Sequence, residues 1–422
     1  MATTWVKEPL PLPDAEAETL QQSVRAIIQR VRAEGDAALR AYAWEFDIVE
    51  LAELRVSDGE IQEAGRSLPA DLLADMSFGI ERIRRFAEAQ RATLQDLDVE
   101  VLPGVHLWHR HVPVQTVGAY VPGGRYPLLS SAQMAVIPAK VAGVQRIVVC
   151  TPTRRDGRIH PAVLWAAHLS GADEIYRVGG AQAIAAMAYG TESIPKADKI
   201  VGPGNRYVTE AKRQVIGEVG IDLLAGPSEI EIIADDTARP QWVAADLLAQ
   251  AEHDVDARAI LITTSRRVAE QTGEEVERQL RELSTAAVAG ESWRRHGQII
   301  LVDTVEEAAR ISDDIGPEHL EVHTTDPHAF MARLRNYGSL FLGEEAAVVF
   351  SDKVIGTNHI LPTRRAARYT GGVWVGTFLK TLTHQWVTRQ AAGVIAQYCA
   401  RQSEREGLRG HRDSAALRLP LA

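Results

Sequence analysis

Cysteine is scarce in this chain of 422 residues, occurring only at Cys150 and Cys399. Two thiols cannot build a disulfide framework, which points to a reducing compartment. Cys150 closes the apolar run Arg146–Cys150 and reads as a buried small hydrophobe rather than a nucleophile. Long hydrophobic runs are missing as well. No stretch approaches about 18 apolar residues, so a membrane span is not expected. The opening Met1-Ala-Thr-Thr-Trp-Val-Lys lacks an apolar signal region, and a cytoplasmic location is the expectation. Nor is positive charge in excess. A formal net charge of −10 argues against a nucleic-acid-binding surface. No low-complexity linker and no internal sequence repeat is evident.

What is present is ordinary globular material, 45% hydrophobic and 24% charged, in a chain too long for one core. The first hundred residues read as helix: Leu20, Val24, Ile27, Ile28 and Val31 recur at helical spacing. Ser57-Asp-Gly-Glu60 is a capping box, and Pro69 opens a long helix to about Gln90. From Val112, short apolar runs at 116–121, 146–150, 174–178 and 199–201 alternate with Ala-rich helical stretches. A second such series runs through 228–234, 259–263, 298–302, 320–324 and 338–341. That alternation predicts an α/β fold of two doubly wound, Rossmann-like parallel sheets, with helix at both ends of the chain. The C-terminal region is read as helical through 378–402.

Chemistry concentrates in a few places. Asp352-Lys-Val-Ile-Gly-Thr-Asn-His-Ile-Leu-Pro362 sets an acid and an imidazole around a Gly-Thr-Asn turn. Such a pair is a metal half-site, a proton-handling couple, or simply a turn with a surface histidine. Gln250 and His253 stand three apart at the end of a helix expected to be capped by Thr237 and Pro240, which places them on one face. An isolated histidine there would merely interact with the helix dipole. With Asp352 added, a mixed nitrogen/oxygen zinc site becomes available. Gly316-Pro-Glu318-His319 could send both side chains into one cavity from a turn, though a solvated turn explains it equally well alone. Gly179-Gly-Ala-Gln182 and Gly202-Pro-Gly-Asn205 each follow an expected strand and open a helix, where a doubly wound fold binds phosphates. Neither is a Gly-x-Gly-x-x-Gly. His106, His109 and His111 resemble a metal cluster, but no Cys, Asp or Glu stands at ligand spacing beside them.

These motifs together resemble the histidinol dehydrogenase family over nearly the whole chain. The matching stretches include Tyr120-Val-Pro-Gly-Gly124, Gly179-Gly-Ala-Gln-Ala-Ile-Ala, Gly202-Pro-Gly-Asn205, Ala225-Gly-Pro-Ser-Glu229, Gln250-Ala-Glu-His253, Gly316-Pro-Glu-His319 and Gly356-Thr-Asn-His-Ile-Leu-Pro362. The resemblance implies a zinc- and NAD-dependent enzyme that oxidises a primary alcohol to a carboxylate, through an aldehyde, in two hydride transfers. By motif it implies zinc ligation by Gln250, His253, Asp352 and His411, and proton transfer by Glu318 and His319. It implies substrate contacts at Ser228, His359 and Glu406, and NAD contacts at Tyr120, Gln182 and Asn205. It further implies a homodimer in which the C-terminal tail, with Glu406 and His411, reaches the partner's active site. The expected organisation is an N-terminal arm at 1–21, one α/β domain at 22–118 plus 226–372, a second at 119–225, and a helical tail at 373–422.

Two stretches depart from the biosynthetic pattern. Arg125-Tyr126 follows the Gly-Gly turn, and Tyr369-Thr-Gly-Gly-Val-Trp-Val-Gly-Thr-Phe-Leu-Lys380 is bulky and Gly-rich. Both resemble the branch of the family that oxidises sulfopropanediol to sulfolactate. A guanidinium such as that of Arg125 suits a sulfonate. A small anionic diol is therefore the expected substrate, with L-histidinol as the alternative.

Overall fold

The computed structural model describes residues 4–9, 17–123 and 127–419. Its strands in chain order are β1 (Thr4–Lys7), β2 (Leu97–Leu102), β3 (Val105–Pro113), β4 (Thr116–Tyr120), β5 (Arg146–Cys150), β6 (Glu174–Tyr176) and β7 (Lys199–Val201). They continue as β8 (Gly220–Ile221), β9 (Glu229–Ala234), β10 (Arg258–Thr263), β11 (Gln298–Leu301), β12 (His319–His323), β13 (Ser339–Leu342) and β14 (Leu379–Val387). Two compact units form, one from the described residues of Met1–Ala89 and Val114–Phe378, the other from those of Gln90–Pro113 and Leu379–Ala422.

The first unit holds two sheets, ordered β1-β11-β10-β9-β12-β13 and β6-β5-β4-β7-β8. All neighbours are parallel except β1, which runs antiparallel to β11. Both wind alike. Apart from the edge strand β1, the first strand of each (β9, β4) lies inside, two successive strands go to one side, and the chain then crosses to the other. The direction reverses between β9 and β12, and between β4 and β7. At such switch points the loops splay apart and leave a crevice beyond the carboxyl ends of the strands. The sequence carries no visible repeat because this winding needs only apolar strands and helices in alternation, which many different side chains satisfy.

β9 is buried along its whole length, as expected of a strand covered on both faces. One face meets Val243, Ala244 and Leu247 of the helix Pro240–Ala251. The opposite face packs Leu320 and Val322 of β12 with Phe330 and Leu334. Alternation along a strand then puts His319, Glu321 and His323 on the side facing the helix Pro240–Ala251. The N-terminal helix Ala17–Glu34 sends Val24, Ile27, Ile28 and Val31 into the same core as Ile184, Met187 and Ile200, beside the five-stranded sheet. Sequence spacing finds this apolar stripe but not its partner, which was expected to be the domain of the six-stranded sheet. Among the described residues no helix is long and apolar enough to cross a membrane.

The second unit is an antiparallel sheet, β14-β3-β2, with helices Arg389–Arg405 and Arg409–Ala416. Here the helical reading of 378–402 is corrected. Leu379–Val387 pairs along its whole length with β3, and its Thr, Leu, Trp and Val favour the pleated surface. The reading of the first hundred residues as helix likewise stops at Thr93, before β2.

Candidate active site

The centre of the site is the junction of β9 and β12. Glu318 and His319 come from the end of the turn after Gly316, and both are fastened to the backbone of Glu229. Glu318 Oε2 accepts from Glu229 N at 2.8 Å, and His319 Nδ1 lies 3.0 Å from Glu229 O. Adjacent residues on a regular strand point to opposite faces, but His319 is the first residue of β12 and Glu318 still belongs to the turn. Both side chains therefore converge, 3.5 Å apart. Burial pushes the Glu318 carboxyl well above the usual range, with the Glu229 and Asp352 charges adding to it. Burial also lowers His319, so the imidazole is neutral at pH 7. Its Nε2 is buried without a hydrogen-bond partner.

Asp352 lies in the short helix Val348–Lys353, flanked by two imidazoles. His253 Nε2 is 3.9 Å from one carboxylate oxygen and His359 Nδ1 is 3.9 Å from the other. Burial alone would raise Asp352, but His359, His319 and His253 outweigh it and hold the carboxyl below its ordinary value. Burial drives His359 down to about 4, so it too is neutral. Gln250 ends the neighbouring helix at 2% exposure, with an unpartnered polar atom on its amide. The cap of that helix differs from expectation. Arg239 occupies the N-cap with Pro240 following, and Thr237 turns back to hydrogen-bond Asp235. An imidazole and a carboxylate brought together without thiolate, with the Gln250 amide three residues before His253, are donors that suit Zn2+ or Mn2+. The unpartnered Gln250 atom is the amide nitrogen Nε2, a donor, so a cation would be held through the amide oxygen.

The other candidate residues sit at the switch point of the five-stranded sheet. The Tyr120 hydroxyl accepts from Gly180 N at 3.1 Å, at the start of the helix Gly180–Tyr189, and burial pushes it up to about 12. Gln182 is buried in the first turn of that helix. Asn205 caps the helix Arg206–Gln214, its Oδ1 accepting from Tyr207 N and Val208 N. Gly202, at φ 119°, presses so closely on the Tyr120 carbonyl that no Cβ would fit. Two helix N-termini beside a crevice, with backbone this close, match the needs of a dinucleotide.

Ser228 immediately precedes Glu229, whose backbone holds Glu318 and His319. Glu406 and His411 lie in the second unit, exposed, at the end of the helix Arg389–Arg405 and within the helix Arg409–Ala416. Arg125, with Tyr126, falls outside the described residues. The histidines on β3 do have acidic neighbours after all. Asp98 and Glu100 reach within 3.6 and 3.7 Å of His106 from β2, a pairing that linear spacing hides.

Sequence reasoning missed two features. Lys212 and Asp222 form a buried ion pair that holds both backbone polar groups of Gly202. Arg364 and Arg365 are consecutive non-glycine residues in the left-handed region, at φ 52° and 65°. The Arg364 side chain covers Gly226, two residues before Ser228. The only signal in the sequence was an Arg pair where a turn follows Pro362-Thr363.

Known proteins match this arrangement closely. The family model described as Histidinol dehydrogenase matches residues 11–419. A "Histidinol dehydrogenase homolog" of Shouchella clausii is 51% identical over 95% of this chain and 94% of its own length. The sulfopropanediol 3-dehydrogenase of Ruegeria pomeroyi is 42% identical over 99% of this chain and 97% of its own. The crystal structure of histidinol dehydrogenase from Elizabethkingia anophelis superposes with a TM-score of 0.92 at 38% identity, covering 97% of this chain and 94% of that one. The match spans almost all of the chain, in sequence and in fold, and takes in the segments of Glu318, His319 and Asp352; the chain belongs to the histidinol dehydrogenase family.

Proposed function

We propose that the chain is a zinc- and NAD-dependent dehydrogenase that oxidises a primary alcohol to a carboxylate by two successive hydride transfers, on a small anionic diol of the sulfopropanediol type. The observation that carries the reaction is the buried pair Glu318–His319, fixed on Glu229, with the free Nε2 of His319 among groups that suit a cation. His319 would take the proton of the substrate hydroxyl, and NAD, when bound, would supply the hydride acceptor. The aldehyde must be hydrated before a second hydride can leave. Glu318, whose raised pKa brings a carboxyl nearer to neutral pH, takes the proton of the attacking water. His319 returns its first proton to the aldehyde oxygen as the water adds, and, neutral again, takes a proton of the hydrate in the second oxidation. Gln250, His253 and Asp352 would hold zinc, with His411 from the second unit of a partner copy completing the set, and Glu406 adding a substrate contact. The metal, when bound, supplies a Lewis acid that polarises the substrate oxygen. Tyr120, Gln182 and Asn205 would frame the nicotinamide dinucleotide.

Arg364 supports the anionic substrate. A non-glycine residue held at φ 52° stores strain, and such strain concentrates at ligand-binding positions. Its guanidinium lies beside the loop of Ser228. The Ruegeria pomeroyi relative, named for sulfopropanediol, points the same way. A second reading, L-histidinol, is favoured by the match to the Elizabethkingia anophelis structure. NAD reduction measured with sulfopropanediol, L-histidinol and simple primary alcohols separates the two. Turnover of L-histidinol with none of the sulfonated diol would overturn the anionic-substrate reading, and no turnover of any alcohol would overturn the enzyme reading.

A further inference from the structure

We propose that Asp246, Glu321 and His323 form a second metal site, taking a first-row divalent cation such as Zn2+ or Mn2+. Glu321 and His323 stand two apart on β12 and so share the face covered by the helix Pro240–Ala251, on which Asp246 lies. Their ligand atoms all fall within 4.8 Å of one another. One imidazole nitrogen with two carboxylate oxygens is a donor set of intermediate hardness, suited to these ions and not to soft ones.

The hydrogen bonding is incomplete in a way that calls for a cation. His323 is 1% exposed and Glu321 0%, yet neither ring nitrogen of His323 nor Glu321 Oε2 has a hydrogen-bond partner. Glu321 Oε1 is already held by Val348 N at 2.8 Å, which leaves Oε2 toward His323 Nε2 at 3.1 Å. An ion pair between these two supplies one positive charge for two carboxyls, and burial and the Glu321 charge push Asp246 up to about 7. Buried charges are ordinarily paired or bound to metal. A dication neutralises both carboxylates and uses the imidazole in its neutral form.

The location is separate from the catalytic group. His323 is at the carboxyl end of β12, beside the β9/β12 switch point, where open α/β sheets bind ligands. His319 is at the opposite end of the strand, about 13 Å away for four residues of strand. Asp246 lies one turn, about 6 Å of rise, before Gln250. An open cleft of about 430 Å³ adjoins Asp246, lined also by Trp242, Glu344 and Phe350, and offers a path for the ion and room for water ligands. A cation here would fasten the helix that carries Gln250 to the strand that carries His319. Its role is positioning.

The test is metal content of the full-length protein, stripped with chelator, reloaded with Zn2+ or with Mn2+, desalted and counted per chain. Two equivalents are expected for wild type, and one for Asp246→Asn, with the remaining equivalent lost on adding His253→Ala. If the catalytic zinc reading fails instead, wild type holds one equivalent and Asp246→Asn none, so the two failures are distinguishable. Glu321→Gln preserves the acceptor for Val348 N and supplies a second variant that is expected to fold. Loss of one equivalent in either folded variant supports the site, as does a smaller rise in Tm on adding Zn2+. Folded Asp246→Asn and Glu321→Gln proteins that both keep the wild-type metal count overturn it.

Discussion

His319 Nδ1 lies 3.0 Å from the carbonyl oxygen of Glu229, and a carbonyl can only accept. The ring proton therefore sits on Nδ1, and Nε2 carries the lone pair. Burial lowers the pKa of the imidazole, which keeps that lone pair available at pH 7. Glu318 is held by the N–H of the same residue, so one residue at the start of β9 orients both side chains.

If the two divide the labour as proposed, His319→Asn slows both half-reactions, by roughly 10²–10⁴-fold for a lost general base. Glu318→Gln slows aldehyde oxidation far more than alcohol oxidation. Single-turnover NAD reduction started from the alcohol and, separately, from the aldehyde measures each step. Equal losses in Glu318→Gln would refute the division.

His253→Ala removes one of the imidazoles beside Asp352. Metal retention and turnover should both fall while the far-ultraviolet circular dichroism is unchanged, because His253 is partly exposed and outside the core. A folded His253→Ala protein with full metal content and normal turnover would exclude this residue as a ligand.

Much of this was legible in the sequence because strands in a parallel sheet are short continuous apolar runs. Arg146–Cys150 and Lys199–Val201 were placed to the residue. The motifs of the candidate site stood out because their polar residues lie close together in the chain. What escaped was long-range pairing. β14 reads as helix until β3 is known to lie beside it, since nothing local supplies its hydrogen bonds. The Lys212–Asp222 pair and the cover of Arg364 on Gly226 join distant segments, and no spacing rule reaches across them. The N-terminal helix shows an apolar stripe at the right spacing, but a stripe does not say which of two similar sheets it will meet.

Substrate charge can be probed at Arg364. Its loss removes a charge-assisted hydrogen bond to an anionic substrate, worth about 1.5–3 kcal/mol. For a sulfonated diol, Arg364→Ala should cut kcat/KM by roughly one to two decades, and turnover of an uncharged alcohol should change little. Arg364→Lys, which keeps the charge, should recover part of the loss. An equal fall for charged and uncharged alcohols would show that Arg364 supports the loop rather than the substrate.

Lys212 and Asp222 are 3% and 0% exposed, with Nζ 2.5 Å from Oδ1. Lys212→Met leaves a buried carboxylate unpaired, a change that costs about 3–5 kcal/mol. The urea midpoint should fall accordingly. Because the pair also holds Gly202 N and O, the loop at the β4/β7 crevice loosens, and KM for NAD should rise more than kcat falls. The double variant Lys212→Met/Asp222→Leu should regain stability without regaining NAD affinity. Recovery of both would place the effect in charge burial alone.

Asp36 accepts from Thr191 Oγ1 at 2.7 Å, from Ser193 N at 3.2 Å and from Ser193 Oγ, tying the helix Asp36–Tyr42 to the loop after Gly190. Burial works to raise its carboxyl, but these hydrogen bonds and the nearby Arg40 prevail and hold it below its ordinary 3.8. A carboxyl with a depressed folded-state pKa stabilises the fold fully above its unfolded value. That contribution disappears as pH falls through the folded value. Asp36→Asn should therefore lower Tm at pH 7, while at pH near 3, where Asp36 itself is losing its charge in the unfolded chain, the gap to wild type should narrow. Thermal melts of both proteins between these limits measure the gap, and a difference that stays constant down to the most acidic point would assign the effect to lost packing instead of the carboxylate charge.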